Sequence, residues 1–258
     1  RSSKLGGGLY TLELPTGDIT KHYTGSLREI KRLNDGYLSI DYVNKKLINF
    51  NSDFKKVNDY SLDYSCSCGL AVDTKNSLIY IANSAKDLIE SYSLKDFKKI
   101  NEKSIISEDG LSEKGGHHLN DLYLHENILY YSYFSCSGRW KKGVLDGGVS
   151  CVSTNELKEP GQMIVKRPII SGLNKPHSPF ILDTSMYVLD SMNGNLKNGS
   201  GKIVSKFPGF VRGIDNDTNY LYVGLSEDMY VAERSKQAST MVNSGIFIIN
   251  ENENIYRF

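Results

Sequence analysis

The chain has 258 residues, 39% hydrophobic and 24% charged, which is enough to bury a core and is ordinary for a globular protein. Its 31 Lys and Arg against 30 Asp and Glu leave a net charge of +1, with the lysine pairs scattered, so no nucleic-acid footprint is present. No run reaches the roughly 18 apolar residues of a membrane span and the N-terminus lacks an apolar signal core, which sets the expectation of a cytoplasmic protein.

Taken in chain order, the sequence is a succession of short strands. Apolar residues alternate or come in bursts between Asn, Asp, Gly and Ser turns, and 17 tyrosines suit a half-buried sheet face. GLYTLELPTGDITKHY (Gly8–Tyr23) predicts a hairpin turning at Thr16-Gly17-Asp18, and DGYLSIDYVNKKLINFN (Asp35–Asn51) a second. Four further segments share one layout, a strand, a polar turn and a second strand that ends in a small polar residue. They are CGLAVDTKNSLIYIANS (Cys68–Ser84), HHLNDLYLHENILYYSYFS (His117–Ser135), HSPFILDTSMYVLDS (His177–Ser191) and VRGIDNDTNYLYVGLS (Val211–Ser226). Aligned on Tyr80, Tyr130, Tyr187 and Tyr222, their turns coincide. Asp228–Ala238 is a helix candidate with a loop as the alternative, and GIFIINENENIYRF closes the chain with another hairpin.

Counting the partial first unit, six motifs over 258 residues take about 43 residues each, the size of a four-stranded blade. The expected fold is therefore all-β, one domain over residues 1–258. It is a six-bladed β-propeller of four-stranded antiparallel blades, and the uneven period leaves five or seven blades open. The N- and C-terminal strands are expected to share one blade. Four cysteines (Cys66, Cys68, Cys136, Cys151) show neither a disulfide framework nor zinc-site spacing and are expected as reduced thiols.

In a propeller the first strand of each blade lines the central channel, and the end of the second lies beside the first strand's start. This brings His117, His118, Asn120 and Asp121 level with Ser135, and His177 and Ser178 level with Asp190 and Ser191. Arg212 falls beside Ser226 and Glu227, and a further blade adds Cys68 and Asn83. Adjacent His117 and His118 face opposite ways, so at most one aims down the channel. Pro176 and Pro179 bracket His177 and Ser178, which suits a rigid metal ligand or general base and equally suits a strand entry. Arg212, between Gly209 and Gly213, is a carboxylate or phosphate clamp, or else a structural partner of Asp190 or Glu227. The long loop CSGRWKKGVLDGGVS (Cys136–Ser150) holds the only tryptophan, Trp140, between Arg139 and Lys141. Trp140 is either a stacking platform for a sugar or base, or a ring that packs the loop onto its blade. His125 belongs to the far face and His22 has no converging partners.

HHLNDLYLHENILYYSYFSCSGRWKKGVLDGGV, PHSP, YVLDSMNG, PGFVRG and VGLSED resemble an uncharacterised bacterial propeller family, a domain of unknown function linked to six-bladed, lactonase-like propellers. The resemblance covers roughly residues 60–258. It implies the fold and puts His177, Asp190, Arg212 and Glu227 in the family's signature motifs, without supplying a substrate. Gluconolactonase-like propellers hold a metal through Glu, Asn and Asp around the channel. This chain offers Glu227, Asn120 and Asp121, and adds histidines that such a site lacks.

The leading expectation is an enzyme acting on a small polar, anionic, sugar-like substrate, a lactone, uronate or nucleotide sugar, at the channel mouth. The reaction would be metal-assisted or histidine acid/base hydrolysis, elimination or epimerisation. In this scheme His118, His177, Asp121 and Glu227 are catalytic. His118, His177, Asn120 and Asp121 hold a divalent metal, Zn²⁺, Mn²⁺ or Fe²⁺ ahead of Ca²⁺. His117, Arg139, Trp140, Lys141, Ser178, Asp190 and Arg212 hold substrate. The alternative is a non-catalytic ligand-binding or protein-interaction propeller. Neither nucleic acid nor membrane is expected as a partner, and the oligomeric state is not legible.

Overall fold

Short β-prone runs separated by Asn, Asp and Gly turns can satisfy their backbone groups only by pairing, and here they pair as successive hairpins. A computed structural model describes residues 7–14, 16–63, 66–165, 168–217, 219–226, 245–250 and 255–257. In it β1 (Gly8–Leu12) and β2 (Ile19–Thr24) form a two-stranded hairpin. The first blade follows as β3 (Leu27–Leu33), β4 (Gly36–Asp41), β5 (Lys46–Asn51) and β6 (Lys56–Ser61). The second is β7 (Ser67–Asp73), β8 (Leu78–Asn83), β9 (Leu88–Ser93) and β10 (Lys99–Ile106). The third begins with β11 (Leu119–His125), β12 (Ile128–Tyr133) and β13 (Gly147–Ser153). The chain then reaches back as β14 (Gly161–Ile164), parallel to β10, and returns as β15 (Ile170–Leu173) to complete the blade. The fourth blade is β16 (Pro176–Leu182), β17 (Ser185–Asp190), β18 (Asn195–Asn198) and β19 (Ile203–Lys206). The fifth is β20 (Phe210–Asn216), β21 (Tyr220–Ser226), β22 (Gly245–Asn250) and β23 (Ile255–Arg257).

The fold is thus an all-β propeller of four-stranded antiparallel blades, and among the described residues the blades number five rather than six. One misreading of the repeat explains the difference, and a second shifts the phase of one blade without changing the count. The Gly8–Tyr23 unit supplies two strands and no more, and Asp35–Asn51 covers β4 and β5, the second and third strands of its blade. The fifth blade takes all four of its strands from the C-terminal part of the chain, so the two ends share no blade among the described residues. The helix candidate Asp228–Ala238 lies outside the described residues.

The apolar faces are buried between blades. Leu38, Ile40, Leu70 and Ile81 join the first blade to the second, and Ile89, Leu119, Leu122 and Tyr131 join the second to the third. Val149 and Val188 join the third to the fourth, and Leu189, Val211 and Val223 the fourth to the fifth. Each such side chain withdrawn from water stabilises by about 1.5–3 kcal/mol before conformational entropy is counted. The first strands follow one another round the channel: β7 touches β3 and β11, β11 touches β16, and β16 touches β20.

One irregularity recurs in every blade. Each first strand carries one residue more than its partner, between Arg28 and Ile30, Ser67 and Leu70, Leu119 and Leu122, His177 and Phe180, and Val211 and Ile214. These are β-bulges, which break the two-residue alternation and re-aim side chains. Glu29, Ser178 and Gly213 take left-handed backbone at them, with φ of 48°, 51° and 82°.

Candidate functional site

Because the bulges stand at one level of the channel, the residues they re-aim meet there. The bulge of β11 turns Asn120 toward a cavity at the mouth and Asp121 toward a second cavity deeper in the channel. The mouth cavity has a volume of about 490 Å³ and the deeper one about 670 Å³. Arg28 of β3 and Arg212 of β20 line both, so two guanidinium groups stand between them.

The mouth cavity has one catalytic-looking imidazole. His177 is fully buried and its Nδ1 lies 2.9 Å from the Lys175 carbonyl and 2.8 Å from the Ser191 hydroxyl. A carbonyl only accepts, so Nδ1 carries the proton and Nε2 keeps its lone pair. His118, also on the cavity wall, has its ring stacked on Phe134 at 4.3 Å and tilted against Trp140 at 4.4 Å. Burial, reinforced by Arg212, pushes both imidazoles down to about 3. They are neutral at physiological pH, and the same shift makes them weak bases, so a proton passes to Nε2 of His177 only from a donor made acidic by the neighbouring cations.

Positive charge dominates this cavity. Arg28, Arg212, Lys141 and Lys175 line it, and no carboxylate does among the described residues. The Arg28 guanidinium lies over the Tyr42 ring, 5.0 Å from its centre, and burial followed by the nearby Arg212 lowers its pKa. Asp121 is fully buried on the deeper side. Its Oδ2 accepts the Ser178 N–H at 2.8 Å and hydroxyl at 3.3 Å, and its Oδ1 lies 3.9 Å from Arg212. Although burial alone would raise the Asp121 pKa, His177 and Arg212 bring the net shift downward, so it is ionised.

The other sequence-predicted residues separate. Trp140 lines the cavity and also anchors its loop, donating from Nε1 to the Gly115 carbonyl at 2.9 Å. Ser178 faces the deeper cavity, where its hydroxyl accepts the Gly213 N–H at 3.2 Å and ties the fourth blade to the fifth. His117 lines neither cavity; it is fully buried and donates from Nδ1 to the Ser135 carbonyl at 2.8 Å. Arg139 points to Asp109 at 3.3 Å, outside both cavities. Asp190, expected to hold substrate, is fully buried and spent on structure. Its oxygens accept Asn174 N–H at 2.7 Å, Lys197 at 2.8 Å and Asn193 at 3.0 Å. Glu227 lies outside the described residues.

Sequence reasoning missed Arg28, Tyr42, Cys66 and Lys175. Arg28 was hidden because its strand, LREIKRL, precedes the hairpin that resembled the repeat; a bulge-aware alignment would have matched it to Arg212. His125 is exposed on the far face, as its hairpin geometry required. His22, expected to stand alone, bonds Thr11 at 2.9 Å in the β1–β2 hairpin.

No metal site is shown for the expected donors His118, His177, Asn120 and Asp121 among the described residues. No three His, Cys, Asp or Glu side chains cluster to hold an ion among the described residues. Asp121 is turned from the two histidines, and Arg28 and Arg212 would repel a cation at the point where it would sit.

A family model described as Domain of unknown function (DUF4915) matches residues 68–255. No curated protein matches the chain. Among solved structures the chain is similar to regucalcin, a calcium-binding protein from Agrobacterium tumefaciens, with a TM-score of 0.58, 13% identity and coverage of 89% of this chain and 72% of that one. It is similar to a luciferin-regenerating enzyme, with a TM-score of 0.59, 12% identity and coverage of 90% and 75%. It is also similar to a catalytically inactive histidine-to-alanine virginiamycin B lyase from Staphylococcus aureus with quinupristin, at 0.51, 15% identity, and 96% and 76%. At such identities the likeness is one of fold, and it agrees with the propeller family read from the motifs.

Proposed function

We propose that this chain, which belongs to the DUF4915 family, is an enzyme that binds a small anionic, sugar-like substrate in the mouth cavity and acts on it by histidine base chemistry. The observation that carries the reading is one cavity combining four cationic side chains, no carboxylate among its described lining residues, and an imidazole whose tautomer is set.

In this scheme His177 takes a proton at Nε2, from a carbon beside a carbonyl or from an attacking water, while Lys175 and Ser191 hold the ring. Arg212 and Arg28 stabilise the negative charge that then develops on oxygen, an electrostatic role strengthened by burial. His118, Phe134 and Trp140, mutually stacked, tilted or edge-on, offer an aromatic wall for the apolar face of a sugar ring. Proton abstraction leads to elimination or epimerisation, and water activation leads to lactone hydrolysis.

The regucalcin neighbour is described as calcium-binding, but the cationic floor here does not suit that ion. The lyase neighbour, inactive when one histidine is replaced, is a propeller of comparable shape whose activity fails without an imidazole. The test is turnover of aldonolactones, uronates and nucleotide sugars by the wild type and by His177→Gln. A general base is worth about 10²–10⁴ in rate, so kcat should fall by that factor with KM little changed. Full activity in His177→Gln would overturn the mechanism. Saturable binding without turnover in any class would leave a binding propeller, the second reading.

A further inference from the structure

Three nitrogen donors at the floor of the mouth cavity make no hydrogen bond although each is shielded from solvent: Nε of Arg28, Nδ2 of Asn120 and Nη2 of Arg212. Asn120 is 2% exposed and lines the cavity. Buried donors are paired in roughly nine cases of ten. Arg212 Nη2 has the equally unpartnered Asp121 Oδ1 3.9 Å away, beyond hydrogen-bond reach, and Arg28 Nε and Asn120 Nδ2 have no partner among the described residues. The three donors come from three separate blades, the first, third and fifth, and each sits at a first-strand bulge. Local folding of any one hairpin does not create this cluster.

Charge narrows the acceptor. Two guanidinium groups share the floor, and the one carboxylate facing Arg212, Asp121, stands 3.9 Å away with its other oxygen committed to Ser178. Lys175 and Lys141 add positive charge at the rim, where the Lys141 ammonium donates to the Lys114 carbonyl, which leaves its charge intact. Arg28, Arg212, Lys141 and Lys175 set against the ionised Asp121 leave a surplus of three positive charges, more than a monoanion answers. A dianion answers more of it, and its several oxygens match donors arriving from three directions, in the forked geometry that guanidinium groups favour. Resting on the reading of this cavity as the substrate site, we infer that Arg28, Asn120 and Arg212 form a phosphoryl subsite and that the substrate is a phosphomonoester of a sugar or sugar acid. The volume of about 490 Å³ and the His118–Phe134–Trp140 wall leave room for the ring above that group.

The probe is inorganic phosphate at about pH 8, where it is a dianion, titrated calorimetrically into the full chain, with gluconate as the monocarboxylate comparison. Phosphate should bind saturably and more tightly than gluconate. Arg28→Met, which keeps an unbranched stem but removes the guanidinium over Tyr42, should weaken phosphate by about tenfold or more, and Arg212→Met likewise. The ligand-free Arg28→Met protein should melt at or above the wild-type temperature, because it loses a like-charge neighbour. A lost phosphate response would then not be lost folding. His177→Gln should keep phosphate binding, so that failure of turnover and failure of the subsite are read separately. Gluconate binding tighter than phosphate would overturn the phosphoryl assignment while leaving an anionic substrate standing. Absence of binding by either anion would overturn both. Equal phosphate affinity in wild type and Arg28→Met would remove Arg28 from the subsite and sink the inference.

Discussion

His177 shows how a single residue acquires a role from its surroundings. An exposed imidazole titrates near 6.5, and this one is pushed down to about 3 by burial and then by Arg212, as is His118. Between those values the unfolded chain takes up two protons that the folded chain refuses, so stability falls as pH drops below 6.5. His117, also lowered by burial, adds to this, while Asp87, raised by burial to about 6 from 3.8, and Glu29 and Glu90, also raised by burial, oppose it over part of the window. The net expectation is a melting temperature that declines from pH 7 to pH 5, with a shallower decline in His177→Gln. A flat wild-type profile would mean that the imidazoles are solvated. The same shift places the acid limb of kcat/KM well below 6.5, a limb that a pH-rate series would locate. Asp190 gives the contrasting case, a signature-motif acid whose bonds are all internal. Asp190→Asn should cost about 3 kcal/mol in urea unfolding, because it leaves Lys197 unpaired near the core, and should change KM little.

At the scale of the element, the bulged first strand decides where side chains point. Strict alternation would send Asn120 and His118 one way and Asp121 the other through the whole strand, and would leave Arg212 aligned with a different neighbour set. The bulge resets the phase at the channel, and the chain Asp121–Ser178–Gly213 stitches three blades across it. Two glycines separate the requirements of such a strand. A Cβ on Gly69 would come within 2.7 Å of the Asp121 Cα, a backbone atom of the neighbouring blade that cannot swing aside. Gly213 has nothing within 4 Å of its would-be Cβ and a φ of +82°. Gly69→Ala should therefore cost about 3 kcal/mol by overpacking, and Gly213→Ala about 1 kcal/mol by backbone strain. Chemical denaturation of the two variants measures both; equal losses would mean that the inter-blade contact at Gly69 yields.

For the molecule as a whole, the N-terminal hairpin closes what the blades leave open. Leu9 and Tyr23 pack on Ile48 and Phe50 of the first blade, and Gly8 and Leu9 line the deeper cavity beside Tyr222, Gly224 and Ile246. Removing residues 1–25 should expose the fully buried Ile48 and Phe50 and lower stability by roughly 2–4 kcal/mol at 25 cal/mol per Å² of apolar surface uncovered. The urea midpoint reports this. An unchanged midpoint would make the hairpin a decoration. A separate tie joins the second and third blades, where β14 leaves its own blade to pair with β10. Among the described residues no helix is long and apolar enough to cross a membrane.

Hairpins announce themselves locally, through turn residues and a two-residue period, so the four repeated segments, their antiparallel pairing and the gathering of His118, His177, Asn120 and Arg212 at the start of first strands were legible in the sequence. Adding strands to a sheet is not local. The first unit's want of two partners and the placement of Asp35–Asn51 one strand out of phase follow from which edges meet after collapse, and the blade count turned on the first of these. The same holds inside the site. Composition named the histidines, but burial and Arg212 of a distant blade made them neutral, and Asp121 faces the deeper cavity rather than the mouth. Arg28 is an ordinary residue of a charged strand until the ring closes and sets it beside Arg212. Residue type and period determined the elements and the level at which the chemistry lies; long-range packing alone decided which of those groups face each other, because direction and desolvation belong to the closed propeller and not to any stretch of its chain.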